Sequence, residues 1–89
     1  MITDIKEYAG KIDPKNIIWL LQYRGWREIP LKVDYKRVFQ TEADGKFYQV
    51  DVPVRVGLSD FDRAMLMATE TLAETMHMCA DQLIWTLLA

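Results

Sequence analysis

From Ser59 to Ala89, apolar residues recur at steps of three and four along two adjoining stripes. One is Phe61, Met65, Ala68, Leu72, Met76, Cys79, Leu83 and Leu87; the other is Leu66, Ala73, His77, Ala80, Ile84 and Leu88. That spacing predicts a helix with a wide apolar face. No Gly or Pro interrupts the run, and Ser59 with Asp62 has the spacing of a capping pair at its start. Even the most polar stripe, Arg63, Glu70, Glu74 and Asp81, is interleaved with Met67, Met78 and Trp85. A helix apolar nearly all round is buried nearly all round. Unbroken from 60 to 88 it would run about 43 Å, against roughly 31 Å across a compact domain of this size. Either the chain bends near Cys79 to Asp81, with Asp81 capping a short final helix, or the overhang packs on a second copy. Both solutions leave Trp85, Leu87 and Leu88 needing cover.

The first half alternates between the two periods. Thr3 to Ala9 reads as a short lead-in helix ended by Gly10. Asp13-Pro14 is a strong helix start and Gly25 an equally good stop, which frames a helix from Pro14 to Arg24 with Ile17, Ile18, Leu20 and Leu21 buried. From Trp26 the period becomes two, with Arg27, Ile29, Leu31 and Val33 on one side; Pro30 marks this strand as an edge or an interrupted one. A turn at Asp34 to Lys36 leads to a second strand, Arg37 to Glu42, and Asp44-Gly45 is a hairpin turn signal. The third strand, Lys46 to Val54, alternates Tyr48, Val50, Val52 and Val54 inward with Phe47, Gln49, Asp51 and Pro53 outward. The predicted fold class is α+β, in the order αβββα: a three-stranded antiparallel meander covered by two helices, the C-terminal one long or broken near 79–81.

This order, with Gly25-Trp26 after the first helix and Val52-Pro53-Val54 closing the meander, resembles the layout of HicA-type toxins and double-stranded-RNA-binding domains. The likeness covers residues 14 to 75, in arrangement more than in residues. The chain is also similar to small uncharacterised bacterial proteins with a Gly-Trp after helix one, a Leu-Pro or Val-Pro after the meander and an acidic-aromatic start to the next helix, here Asp60-Phe61. The resemblance implies a fold and no activity. HicA-type toxins carry a catalytic histidine on the second strand, where this chain has Lys36-Arg37-Val38-Phe39, so the ribonuclease inference does not transfer.

Of the 89 residues 51% are hydrophobic and 27% charged, which fits one small domain, 1–89, or a module cut from a longer protein. The single Cys79 excludes an internal disulfide, and no basic leader with an apolar stretch opens the chain, so a reducing cytoplasm is the expected location. Glu70, Glu74 and Asp81 interrupt the apolar C-terminal run, which argues against a membrane span. The formal net charge of −2 is unevenly placed: residues 1–40 hold eight Lys or Arg against five Asp or Glu, residues 41–89 three against eight. The two halves attract each other, within one chain or between two.

Three constellations bear on chemistry. Glu70, Glu74, His77 and Asp81 would line one stripe of an unbroken helix, with the Glu-x-x-His spacing of di-iron bundles, but such a site needs further Glu-bearing helices. Met76-His77-Met78-Cys79 offers soft ligands that point about 100° apart and cannot converge, and His77 and Cys79 face opposite sides of a helix, which excludes a Cys-His nucleophile pair there. A buried Cys is the default. The third is basic and aromatic, Arg24, Trp26, Arg27, Lys32, Tyr35, Lys36, Arg37 and outward Phe47, and could hold phosphates and stack bases, although Glu28, Asp34 and Asp51 are scattered through it. With no phosphate loop, ligand set or nucleophile elbow, the sequence points to no enzyme, no metal and no cofactor. The expected function is a protein-association module, regulatory or adaptor in role, forming a homodimer or binding another protein. Its C-terminal helix would supply Met65, Leu72, Met76, Leu83, Trp85 and Leu88 as packing or interface anchors. The alternative is an RNA- or DNA-binding module using Arg24, Arg27, Lys32, Lys36 and Arg37.

Overall fold

The computed structural model describes residues 5–89 except Val56 and Leu58. Its elements are α1 (Ile5–Ala9), α2 (Pro14–Tyr23), β1 (Arg27–Ile29), β2 (Lys36–Ala43), β3 (Lys46–Pro53), α3 (Phe61–Thr75) and α4 (Ala80–Leu88). The three strands form one antiparallel sheet in sequence order, so the α+β meander and its covering helices are as the periodicity predicts. The first residues of the lead-in helix, before Ile5, lie outside the described residues.

Local chemistry sets the boundaries of the first half. Asp13 caps α2 by accepting a hydrogen bond from the Lys15 amide at 3.0 Å, with Pro14 in the first turn. Gly25 ends that helix at φ 84°, and Asp44 and Gly45 turn the β2–β3 hairpin at φ 53° and 77°, the paired left-handed conformation of a tight two-residue turn. Ile17, Ile18 and Leu21 are buried as expected, whereas Leu20 is only half-buried. β1 stops at Ile29 because Pro30 cannot donate to a ladder, so Leu31 and Val33 are exposed loop residues instead of strand positions. On β3 the helix-facing residues Val50 and Val52 are buried and Tyr48 and Val54 half-buried. Pro53, expected outward, is buried at the strand's end, where Tyr35, Lys36 and Asp60 border it.

The C-terminal half departs most from its periodicity. There is no capping pair at Ser59: α3 begins at Phe61, with Asp60 at the cap and no side-chain capping bond. The helix stops at Thr75, four residues before the expected bend. The His77 amide donates to the Glu74 carbonyl and the Met78 amide to the Ala73 carbonyl, the paired bonds of a Schellman motif, with His77 in the left-handed position at φ 56°. Cys79, not Asp81, caps α4.

The break disposes of the overhang. α4 folds back on α3 and α1, and its Leu83, Ile84 and Leu87 join a core that also contains Ala9, Ile12, Ile17, Trp26, Phe39, Val50, Val52, Phe61, Met65 and Leu72. The radius of gyration is 12.5 Å. Among the large apolar residues of α3 and α4 only Met67 and Trp85 are exposed, so most of the surplus apolar surface finds its cover within one chain. Among the described residues the one fully buried polar side chain is Thr69, which donates to the Met65 carbonyl at 2.7 Å, and no buried side-chain polar atom there lacks a partner.

Candidate interaction surface

Helix α2 buries Ile17, Ile18 and Leu21, and helical periodicity then turns Asn16, Trp19 and Tyr23 away from the core. Trp19 and Tyr23 are 62% and 75% exposed, and they stack on each other one turn apart, ring centroids 5.2 Å and planes 13° from parallel. Beside them lies a shallow groove of about 240 Å³ between α2 and α4, lined by Asn16, Trp19, Leu20, Thr86, Leu87 and Ala89. The groove is held in shape by the Asn16 side-chain amide, which donates to the Leu87 carbonyl. That carbonyl would otherwise be one of the unpaired groups at the end of α4.

The next exposed position along α4 adds a third ring. Trp85 is 58% exposed and tilts against Tyr8 of α1 at 5.1 Å between centroids, while the Lys11 ammonium sits 5.2 Å from the Tyr8 ring. Trp85 precedes Thr86 and lies one turn before Ala89, both of which line the groove. The groove is therefore bordered by the Trp19–Tyr23 stack on α2, while Trp85 stands on the neighbouring outward side of α4, against α1. Trp19 and Tyr23 are the helix positions left over once Ile17, Ile18 and Leu21 take the core, and their spacing of four is the one signal in the sequence that they stack on each other.

The expected interface anchors divide. Met65, Leu72 and Leu83 are buried to within 1% in the chain's own core, so they are packing residues and cannot meet a partner in this fold. Met76 and Leu88 are half-buried against that core, and Trp85 alone among the six is exposed. Burial fails also for Cys79, which is a free, exposed thiol at the α4 cap.

The basic surface is divided by the pleat and largely neutralised. Lys36 and Arg37 are consecutive strand residues and point to opposite faces of the sheet. On the helix-covered side Arg37 makes a two-pronged pair with Glu28, at 2.6 and 2.8 Å, which lowers the Glu28 pKa, mainly through that hydrogen bond, and raises that of Arg37. On the open side Lys36 bonds Asp51 at 3.0 Å, and this bond raises its pKa. Arg24, Arg27 and Lys32 are exposed, and Phe47 is 60% exposed on the open side. Phosphate would have to displace carboxylates from two of the five expected contacts.

The acidic stripe dissolves with the helix break. Glu74 accepts a hydrogen bond from the Tyr48 hydroxyl at 3.0 Å, and the Tyr48 pKa is raised by desolvation first and by this bond second. His77 turns to Asp44 of the hairpin turn, 3.1 Å from Nε2 to Oδ2, and Asp81 belongs to a different helix. Among the described residues no group of three or more His, Cys, Asp or Glu side chains could hold a metal ion. No described helix is long and apolar enough to cross a membrane.

Comparison with known proteins finds no family model, curated protein or solved structure that matches this chain.

Proposed function

We propose that the chain is a non-catalytic protein-association module, adaptor or regulatory in role, that receives an apolar segment of another protein on its α2–α4 face. The observation that supports this reading is the exposed, mutually stacked Trp19–Tyr23 pair beside a preformed groove. Large rings fixed on helices lose little conformational freedom on binding, and Trp and Tyr are the side chains that most often dominate association energies. Trp85 stands on the neighbouring side of α4, so the C-terminal helix contributes by one exposed ring and not by its whole apolar surface. Nucleic-acid binding is the weaker reading, because Lys36 and Arg37 are already committed to Asp51 and Glu28.

Selection from a random peptide library on the immobilised protein tests it. The expected peptides are rich in aromatic and aliphatic residues, shift the backbone amide signals of α2 and α4, and lose at least about tenfold in affinity on Trp19→Ala. Selected peptides that bind the Trp19→Ala, Tyr23→Ala double variant as well as they bind the wild type would remove this face as the site.

A further inference from the structure

The two edges of the sheet are finished differently. β1 is three residues long and is followed by Pro30, which blunts it as an edge. β3 lies at the other edge, is eight residues long and pairs with β2 in unbroken register from Ala43↔Lys46 to Lys36↔Pro53. The Val54 amide donates to the Tyr35 carbonyl at 2.9 Å at the end of this ladder. That bond fixes the alternation: Lys46, Tyr48, Val50 and Val52 turn their backbone groups toward β2, and Phe47, Gln49 and Asp51 turn theirs outward. Among the described residues no backbone bond from another element reaches those three, and the Gln49 side chain bonds the Gln40 and Asp51 side chains instead of the edge.

Helix α3 packs over this edge strand and not over β2, so its outer side reaches past the sheet. Beneath that side runs a groove of about 370 Å³, walled by Ala64, Met67, Ala68 and Thr71 of α3 and bounded below by residues 49–51 of β3. The helix wall is apolar apart from the Thr71 hydroxyl, which donates to the Met67 carbonyl of its own helix at 3.0 Å. Met67 is 57% exposed, so folding leaves apolar surface of this wall uncovered. A strand edge with open backbone groups beneath an apolar helix wall is the geometry that strand addition uses.

We infer that the groove receives an extended, basic segment of another protein, added to β3 as a fourth strand. Its backbone meets the open groups of Phe47, Gln49 and Asp51. Side chains of an added strand alternate as those of β3 do, so every second residue faces the α3 wall and the others lie beside Phe47, Gln49 and Asp51 on the open side of the sheet. The wall side takes aliphatic residues, because Ala64 and Ala68 are small and the flexible Met67 adapts to branched chains. The other side, beside Gln49 and Asp51, suits polar residues. The segment must be slender: a second copy adding its own β3 would bring its own α3 into the space that this α3 fills.

Charge selects a basic segment. Every residue that lines the groove belongs to the half of the chain, residues 41–89, that holds eight Asp or Glu against three Lys or Arg. One of those three, Arg55, is bound to Asp34. Glu70 and Glu74 follow Met67 at steps of three and four and continue its row along α3. At the other end Asp60 borders an adjoining hollow that shares Asp51 and Ala64 with the groove, and Lys36 beside it is taken up by Asp51. The opposing cations are Arg63 in the Met67 row and Lys46 at the start of β3. Lys or Arg at the two ends of an incoming strand therefore meets carboxylates, which steers the encounter and selects the segment more than it adds affinity. The groove shares no residue with the one between α2 and α4, and the inference does not rest on the function proposed for that face.

Titration of the intact chain with a synthetic peptide of about nine residues, alternating valine and threonine between terminal lysines, tests the inference by residue-resolved amide exchange. Saturable binding is expected, in which the Phe47, Gln49 and Asp51 amides gain protection while those of Tyr48 and Val50 are protected with or without peptide. N-methylating either the valines or the threonines of the peptide blocks one alternate row of its amides. One of the two methylated peptides should bind as the parent does and the other lose at least about tenfold, and which is lost gives the direction of the strand. Met67 is exposed, so Met67→Lys leaves the chain folded and weakens binding by about tenfold. Replacing the terminal lysines by glutamates weakens it by about fivefold at low salt. No binding at millimolar peptide overturns the inference, as do equal affinities of the two methylated peptides or a glutamate-ended peptide that binds as tightly as the parent. Changes confined to α2 and α4 and lost on Trp19→Ala would end it while sparing the aromatic face, whereas β3 protection that survives Trp19→Ala upholds it whatever becomes of that face.

Discussion

The Asn16 Nδ2 amide donates to the Leu87 carbonyl oxygen at 3.0 Å across 71 positions of sequence, joining the first turn of α2 to the last turn of α4. One side chain therefore both ends a helix and holds one wall of the aromatic groove. Asn16→Ala is expected to cost about 1 kcal/mol in urea unfolding and to speed amide exchange in α4 beyond Leu83 more than in α2. Equal exchange rates in the two proteins would show that α4 is held by its apolar face alone.

Leu72 and Met65 distinguish core from interface. Both are fully buried in the monomer. Leu72→Ala should destabilise the fold by about 2–5 kcal/mol, independently of protein concentration, because the cavity it leaves is internal. An interface residue would show the opposite pattern, an unchanged monomer and weaker association.

Trp85→Asp should be the reverse case. The ring is 58% exposed and its main described contact is Tyr8, so the substitution is expected to change the unfolding free energy by less than about 1.5 kcal/mol while reducing peptide capture on the α2–α4 face. Calorimetry paired with a binding titration separates the two effects.

His77 occupies a left-handed backbone position usually given to glycine. His77→Gly relieves the side chain's clash there and is expected to stabilise the protein by about 0.5–1 kcal/mol at neutral pH, read from the urea midpoint. The exposed contact to Asp44 that would be lost is a surface pair and offsets little of this gain. A drop in stability would mean that the hairpin turn depends on His77 more than its exposure implies.

Glu28 supplies a pH dependence of known sign. Its pKa is lowered in the folded state by the Arg37 hydrogen bond, so the folded chain holds its ionised form more strongly than the unfolded chain does. The contribution is fully present above the ordinary glutamate range and is lost as pH falls through the lowered folded value. Because the pair is well exposed it amounts to about 0.5 kcal/mol. Unfolding curves at neutral pH and at acid pH should converge for wild type and Glu28→Gln as the medium is acidified, with the variant weaker only at neutral pH.

The first half of the chain was readable because its boundaries are written in residues with strong backbone preferences. Asp13-Pro14 and Gly25 frame α2, and Asp44-Gly45 fixes the hairpin and with it the register of β2 on β3. In the second half the length of the apolar run called for either a break near 79–81 or a second copy, and its spacing did not decide between them; the break is what forms, a few residues earlier. Met76 to Cys79 contains neither Gly nor Pro and continues the apolar spacing, yet the chain reverses there with a histidine in the left-handed position. The driving force is tertiary: Leu83, Ile84 and Leu87 reach the core only if α4 turns back, and burying three large side chains outweighs the roughly 1–2 kcal/mol cost of that backbone conformation. The same periodicity therefore served two helices, and of the residues expected as packing or interface anchors Met65, Leu72 and Leu83 are packing residues. The Trp19–Tyr23 pair was recoverable from the helical spacing, whereas its closeness to Thr86 and Ala89 was not, since only the return of α4 creates it.

That return also orders events during synthesis. A ribosome releases residues in sequence at about 5–20 per second, so α1, the sheet and α3 are all delivered before the segment that supplies Leu83, Ile84 and Leu87. Until then α1 and α3, the two helices on which α4 packs, lack the wall that completes the core. A message truncated anywhere between Met78 and Leu83 would yield a polypeptide carrying every other element of the fold and unable to close it.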